Sequence, residues 1–141
     1  MYCCSVCRRR FKITTLFLIF NHSVTRLQEE DARRSLGVGR IVDLPADLKV
    51  LWQQIPPDLP GIFDYLAPLR EWLANRAEEG DYVLVQGDFG ACFLMVKFAM
   101  ERGLVPVYST TEREAQEEHA ADGTVELTHR FRHRIFRRYG E

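Results

Sequence analysis

The stretch from Asp81 to Gly103, DYVLVQGDFGACFLMVKFAMERG, limits the possible folds more than any other. Tyr82–Val85 is a short apolar run without alternation, the pattern of a parallel strand buried on both faces. It stops at Gln86–Gly87–Asp88–Phe89–Gly90. Ala91–Met100 then reads as an almost wholly apolar, buried helix, with Gly103 as its C-terminal stop. A buried strand, a glycine turn and a buried helix in succession place a helix N-terminus at the carboxyl edge of a parallel sheet. That edge is where open α/β sheets take their ligands.

The glycine turn is not a phosphate-binding fingerprint. A dinucleotide motif needs three glycines over six residues, and a nucleoside triphosphate loop ends in Gly-Lys-Ser/Thr. Gly87 and Gly90 therefore keep two readings, a turn that permits close strand–helix packing or a backbone cradle for a ligand. Gln86 and Asp88 favour the second, since they are polar groups inside a segment otherwise devoted to burial.

A chain of 141 residues has the length of one domain with a core that needs no staples. A net charge of −1 argues against a generally basic nucleic-acid binder, although the charge is unevenly placed. Glu112–Asp122 is acidic, whereas Arg130–Arg138 is rich in arginine and contains His133. Three of the four cysteines, Cys3, Cys4 and Cys7, crowd the first seven residues, and Cys92 falls in the apolar helix. No disulfide framework is spelled out, so the expected compartment is the cytosol. A zinc site from Cys3, Cys4, Cys7 and His22 is disfavoured by the adjacent cysteines and the missing second pair. Arg8–Arg10 ahead of Ile13–Phe20 superficially mimics a twin-arginine export signal. The apolar stretch is short, however, and runs into Asn21–His22 without a cleavage site, so residues 1–12 read as an extension outside the folded domain, 13–141. No apolar run reaches the roughly twenty residues of a membrane-spanning helix.

Along the chain, Leu16–Phe20 reads as the first buried strand. Thr25 and Gln28 form a capping box for a helix over Arg26–Leu36, ended by Gly37. Arg40–Leu44 is a second, short strand, and Pro45 opens a helix to about Gln54. The apolar spacing of Ile62, Tyr65, Leu66, Leu69, Trp72, Leu73 and Ala77 predicts the longest helix, bent at Pro68. Val105–Tyr108 is a further buried strand. A ribbon follows, Glu112–His119 and Thr124–Phe136, joined by a turn at Ala121–Asp122–Gly123. That turn sets Glu114 opposite Arg130 and Glu112 opposite Arg132 as potential ion pairs, and also Glu118 opposite Glu126. On the second arm Val125, Leu127, His129, Phe131, His133 and Ile135 share one face. The fold class expected is α/β: a small Rossmann-like parallel sheet flanked by helices, with a C-terminal β-hairpin.

Three buried strands end on polar groups: Asn21–His22, Gln86–Gly87–Asp88, and Ser109–Thr110–Thr111 with Arg113 nearby. In a parallel sheet these tips share one edge, and the functional reading requires them to meet at one crevice. Each has a bland alternative. A histidine after a strand is usually a satisfied surface or core histidine, and Ser-Thr-Thr is usually a turn or cap. Amides, hydroxyls, an arginine and a helix N-terminus together suit phosphate oxygens and base edges. No carboxylate-rich cluster, His/Cys set or nucleophile elbow is apparent, so no metal or cofactor is expected and any catalysis is expected to be metal-free.

The segments LFLIFNH, LPADLKVLWQQIPPDL, GDYVLVQGDFGACFLMVKFA, GLVPVYSTTERE and DGTVELTHRFRHRIFRRY together resemble a small accessory protein of type III CRISPR systems. It is one of the short Csx proteins built like an isolated CARF (CRISPR-associated Rossmann fold) domain, with QGDFG and STTER the most specific pieces. The resemblance implies binding of cyclic oligoadenylate and, as in the ring nucleases, its metal-independent cleavage by attack of a ribose 2′-hydroxyl on the neighbouring phosphodiester. Carried over by position, His22, Asp88 and Arg113 would be the catalytic groups. Asn21, Gln86, Gly87, Phe89, Gly90, Ser109, Thr110, Thr111 and Arg132 would bind the ligand. A homodimer would match the quasi-symmetric ring. A binder that sequesters the ring uncut is the alternative within this reading. A scaffold whose basic ribbon contacts long RNA or a protein is the alternative outside it.

Overall fold

The computed structural model describes residues 12–141. Most of the expected extension, with Cys3, Cys4 and Cys7, lies outside the described residues. The described residues form an α/β fold, with a five-stranded mixed sheet and four helices in the order β1 (Thr15–Ile19), α1 (Arg26–Ser35), β2 (Arg40–Val42), α2 (Ala46–Gln53), α3 (Ala67–Arg76), β3 (Tyr82–Val85), α4 (Phe89–Glu101), β4 (Val105–His119) and β5 (Val125–Arg138). The strand order is β2-β1-β3-β4-β5. The first four strands run parallel and β5 is antiparallel to β4.

The continuous apolar runs of β1 and β3 follow from burial on both faces. On one face Phe17, Ile19, Val83 and Val85 pack against α2, α3 and α4 through Trp52, Leu69, Leu73 and Met95. On the other, Leu16, Leu18, Leu84 and Val107 meet Ala32 of α1 and Val38. The capping box forms as the sequence indicates: Thr25 Oγ1 accepts from Gln28 N at 3.2 Å and Gln28 Oε1 from Thr25 N at 2.9 Å.

Two expectations change. Pro68 does not bend a long helix; it lies in the first turn of α3, where its missing N–H costs nothing, and residues 62–66 form turns ahead of it. The longest helix is α4, with 13 residues, and only one face of it is buried, through Ala91, Met95 and Ala99. Phe89 is 96% exposed, and Phe93 and Met100 also face outward. An apolar composition all round had suggested burial all round, but the sheet offers α4 one face only.

The hairpin register is as the turn dictates. Glu112 faces Arg132, Glu114 faces Arg130 and Glu118 faces Glu126. The expected directly opposed ion pairs are nevertheless not made; Glu112 reaches diagonally to Arg134 at 3.5 Å. β4 runs without a break from the buried sheet into the ribbon, interrupted by one bulge. Ser109 pairs with Phe136 and Thr111 with His133, so three residues of β5 span two of β4. Thr110 fills the irregularity, its Oγ1 accepting from Ile135 N at 3.1 Å and donating to Ile135 O at 3.2 Å. The extra residue resets the alternation and brings His133 and Phe136 to the same face, their rings 4.5 Å apart.

Gly87 and Gly90 separate on sterics. A Cβ at Gly87 would lie 2.8 Å from Trp52 Nε1, whereas at Gly90 the nearest atom is 3.5 Å away. The Trp52 indole cannot retreat, because it is buried and donates to Gln86 O at 2.9 Å. Gly87→Ala is therefore expected to cost about 1–3 kcal/mol by overpacking. Gly90→Ala, inside α4, is expected to be neutral or to gain up to about 1 kcal/mol. Urea titrations of the two variants measure the contrast.

Candidate functional site

The carboxyl ends of β1 and β3 open between α1 and the base of the ribbon into a cavity of about 610 Å³. Phe20, His22 and Ser23 line it after β1; Thr25, Leu27 and Gln28 line it from the start of α1. Gln86 follows β3, Thr111 comes from β4, and Phe131, Arg132 and His133 come from β5. The His22 ring meets that of Phe20 edge-on at 5.4 Å. Two phenylalanine rings, an arginine, two amides and two imidazoles thus border one space.

Below it runs a buried string of polar groups. Asp31 Oδ2 and His133 Nε2 are 2.6 Å apart, and His133 Nδ1 and Ser109 Oγ are 2.5 Å apart. All three residues are buried. With the imidazole neutral, one proton arrangement satisfies every partner: the Ser109 hydroxyl donates to Nδ1, and Nε2–H donates to the Asp31 carboxylate. Gln28 Nε2 donates to Ser109 Oγ at 3.3 Å, and Ser109 N donates to Gln86 Oε1 at 2.8 Å. Burial works against ionised Asp31. The Ser35 hydroxyl, then the hydrogen bond and charge of His133, then Arg34, outweigh it and hold the carboxyl below its usual 3.8.

The crevice expected to gather all three strand tips forms only in part. His22, Gln86, Thr111 and Arg132 line the cavity, but Gly87 and Phe89 lie across the sheet. They border a separate, largely apolar hollow of about 500 Å³ with Cys92, Phe93 and Tyr139. Burial pushes the Cys92 thiol up to about 11, so it is not a ready nucleophile. Asp88 faces a third hollow with Pro56, Pro57 and Pro60, and its Oδ1 caps α4 by accepting from Ala91 N at 3.0 Å. The cause is the direction of the helices: α1 covers one face of the sheet and α4 the other, so the turn leading into α4 departs from the face that holds His22. Gln86 borders both sides.

The other expected residues are placed as follows. Gly90 lies in the first turn of α4. Thr110 is occupied by the bulge. Asn21 holds Gln53 through its backbone oxygen at 2.8 Å, and its Oδ1 is buried with no hydrogen-bond partner. Arg113, opposite Phe131, donates to His129 Nδ1 at 3.2 Å and is not part of the cavity lining. Ser109 lies beneath the cavity. Asp31, Gln28 and His133 were not expected at the site. His133 carried a signal, being a histidine within an alternating apolar stripe. Asp31 carried none, because an acidic residue in a charged helix looks like solvent-facing surface. Among the described residues no three His, Cys, Asp or Glu side chains converge, and no helix is long and apolar enough to cross a membrane.

Asp31→Asn is expected to lower stability by about 2 kcal/mol near neutral pH, the scale of a buried hydrogen bond to a charged group. The carboxyl is held low in the folded protein, so its contribution is present in full above the unfolded value near 3.8 and fades as pH falls through the lower folded value. Urea titrations between pH 7 and 3 should therefore show the two proteins converging at the acid end.

A family model described as "Uncharacterized protein MJ1673 family" matches residues 14–137. A protein of Methanocaldococcus jannaschii described as "Uncharacterized protein MJ1673" is 45% identical over 124 residues, which cover 88% of this chain and 95% of that protein. No solved structure matches the chain. The matched residues span the sheet, all four helices and nearly all of the ribbon, cavity included: the chain belongs to the MJ1673 family.

Proposed function

We propose that this protein binds cyclic oligoadenylate, most suitably cyclic tetra-adenylate, and opens the ring by metal-independent attack of a ribose 2′-hydroxyl, which would switch off type III CRISPR signalling. The observation that carries the reading is the make-up of the cavity between α1 and the ribbon. The Phe20 and Phe131 rings suit adenine faces, the Arg132 guanidinium suits a phosphodiester, and the Gln28 and Gln86 amides with Thr111 suit base edges and ribose hydroxyls. The strand order reverses at β1, whose neighbours β2 and β3 follow it in the chain on opposite sides. A doubly wound, CARF-like sheet places its ligand outside the carboxyl ends at such a point. Only the α1 side supports the reading; Gly87, Phe89 and Asp88 take no part in it.

The attack asks the protein to set the 2′-hydroxyl in line with the scissile phosphorus–oxygen bond and to stabilise charge on the phosphoryl oxygens. In this reading Arg132 supplies the charge, and His22 exchanges a proton with the leaving 5′-oxygen. A two-fold homodimer would bring two such cavities to one quasi-symmetric ring.

Incubation with radiolabelled cyclic tetra-adenylate in EDTA tests this directly. A linear adenylate ending in a 2′,3′-cyclic phosphate is the expected product. Retention of the intact ring would mean sequestration, and salt-dependent binding to any RNA without preference for the ring would mean a different partner. Arg132→Ala is expected to weaken ring binding at least tenfold, equivalent to about 1.4 kcal/mol. Arg138→Ala, beyond the bulge and outside the cavity, is expected to change it less than twofold.

A further inference from the structure

We propose that Ser109, His133 and Asp31 form the proton-accepting relay of this site, with Ser109 Oγ the atom that meets the substrate hydroxyl. The inference rests on the ring-cleaving reading above and identifies its general base.

The geometry is that of a hydroxyl, a base and an orienting carboxylate in series, 2.5 Å and 2.6 Å apart. Both imidazole nitrogens are committed, so His133 cannot take a proton from a ligand directly and must receive it through Ser109. Asp31 fixes the tautomer with the free lone pair on Nδ1 and stabilises the imidazolium that forms. The three residues come from α1, β4 and β5, and the bulge at Thr110 is what turns His133 toward the other two. A purely structural buried polar set would not need to adjoin a cavity. Here Gln28, Gln86 and His133, each hydrogen-bonded to Ser109, are themselves cavity wall. The longest of these contacts, 3.3 Å from the Gln28 amide, occupies the hydroxyl lone pair that a substrate O–H would use.

In the step itself the substrate hydroxyl displaces the Gln28 amide and donates to Ser109 Oγ. The Ser109 proton passes to His133 Nδ1, and the freed 2′-oxygen bonds to phosphorus. The bond from phosphorus to the 5′-oxygen breaks, and that oxygen takes a proton from water or from His22. The imidazolium returns its proton through Ser109 to solvent when product leaves, so no oxidant, reductant or co-reactant is needed.

The test compares unaltered protein with Ser109→Ala, His133→Gln and Asp31→Asn, each first checked for folding by thermal melting. Ring affinity and single-turnover cleavage of cyclic tetra-adenylate are then measured in EDTA. Ser109→Ala removes only an oxygen, which guards against the case in which His133→Gln fails to fold. The expected result is affinity within about threefold and cleavage slower by about 10²-fold or more in Ser109→Ala and His133→Gln, the scale of a lost general base. Cleavage undiminished in a folded Ser109→Ala overturns the relay and leaves the ring-cleaving reading standing. Binding without cleavage by the unaltered protein overturns the relay as a catalytic device. Absence of both binding and cleavage removes the reading on which the relay rests, and the relay with it.

Discussion

His133 holds together parts of the chain that secondary structure alone leaves apart. It lies 102 residues from Asp31 and 24 from Ser109 and is hydrogen-bonded to both. Apart from this string, β5 is the last strand of the sheet, with only β4 as a ladder partner. An antiparallel pair projecting beyond its sheet is free to twist and swing about its base. The bond to Asp31 ties that base to α1, and the bond to Ser109 ties it back to β4. The cavity wall formed by Phe131 and Arg132 depends on the same attachment. The cost of drying a carboxylate is met here by several donors at once, Ser35 and His133 foremost, which a lone buried acid would lack.

Much of the fold was legible because the relevant signals are local. The Thr25–Gln28 capping box, Gly37 after α1, Pro45 before α2 and the unbroken apolar runs of β1 and β3 each act within a few residues. Hairpin register follows from turn length between Thr111 and His119, and there it came out residue for residue. Pro68 misled because a proline inside an apolar periodicity of period 3.6 fits either a kink or a first turn. The choice depends on whether residues 62–66 are helical, which their packing decides rather than their sequence. The outward face of α4 misled for a related reason, since composition reports how apolar a helix is and not how many neighbours the sheet can give it.

The candidate site was legible only in part, and the division falls along the sheet. His22, Gln86 and Thr111 border one space, as strand tips at one edge of a parallel sheet must be close, and Arg132 reaches it from the antiparallel β5. Edge alone does not say which face, however. Face is set by where each following helix goes, and α1 and α4 go to opposite sides. The glycine turn that dominates the sequence therefore belongs with the packing of Trp52 and α4. Asp31 and His133 could not be paired from the sequence, being joined through a long-range contact that no spacing rule encodes.

The bulge decides which residues can meet. Strict alternation from Val125 would carry Ile135 and Arg137 onto the face of His133, leaving Phe136 on the opposite one. With three residues of β5 spanning two of β4, Phe136 instead joins His133 on the α1 side, packing beside Leu84 and Val107. The imidazole is thereby sealed from the sheet side by an aromatic ring and left adjacent to the cavity on the other. Thr110 makes this possible at little cost, since its hydroxyl replaces ladder hydrogen bonds for both the N–H and the C=O of Ile135. A β-branched residue with a hydroxyl, flanked by Ser109 and Thr111 facing the other way, suits that position: Thr110 closes the backbone, and its neighbours are left to face the polar string and the cavity.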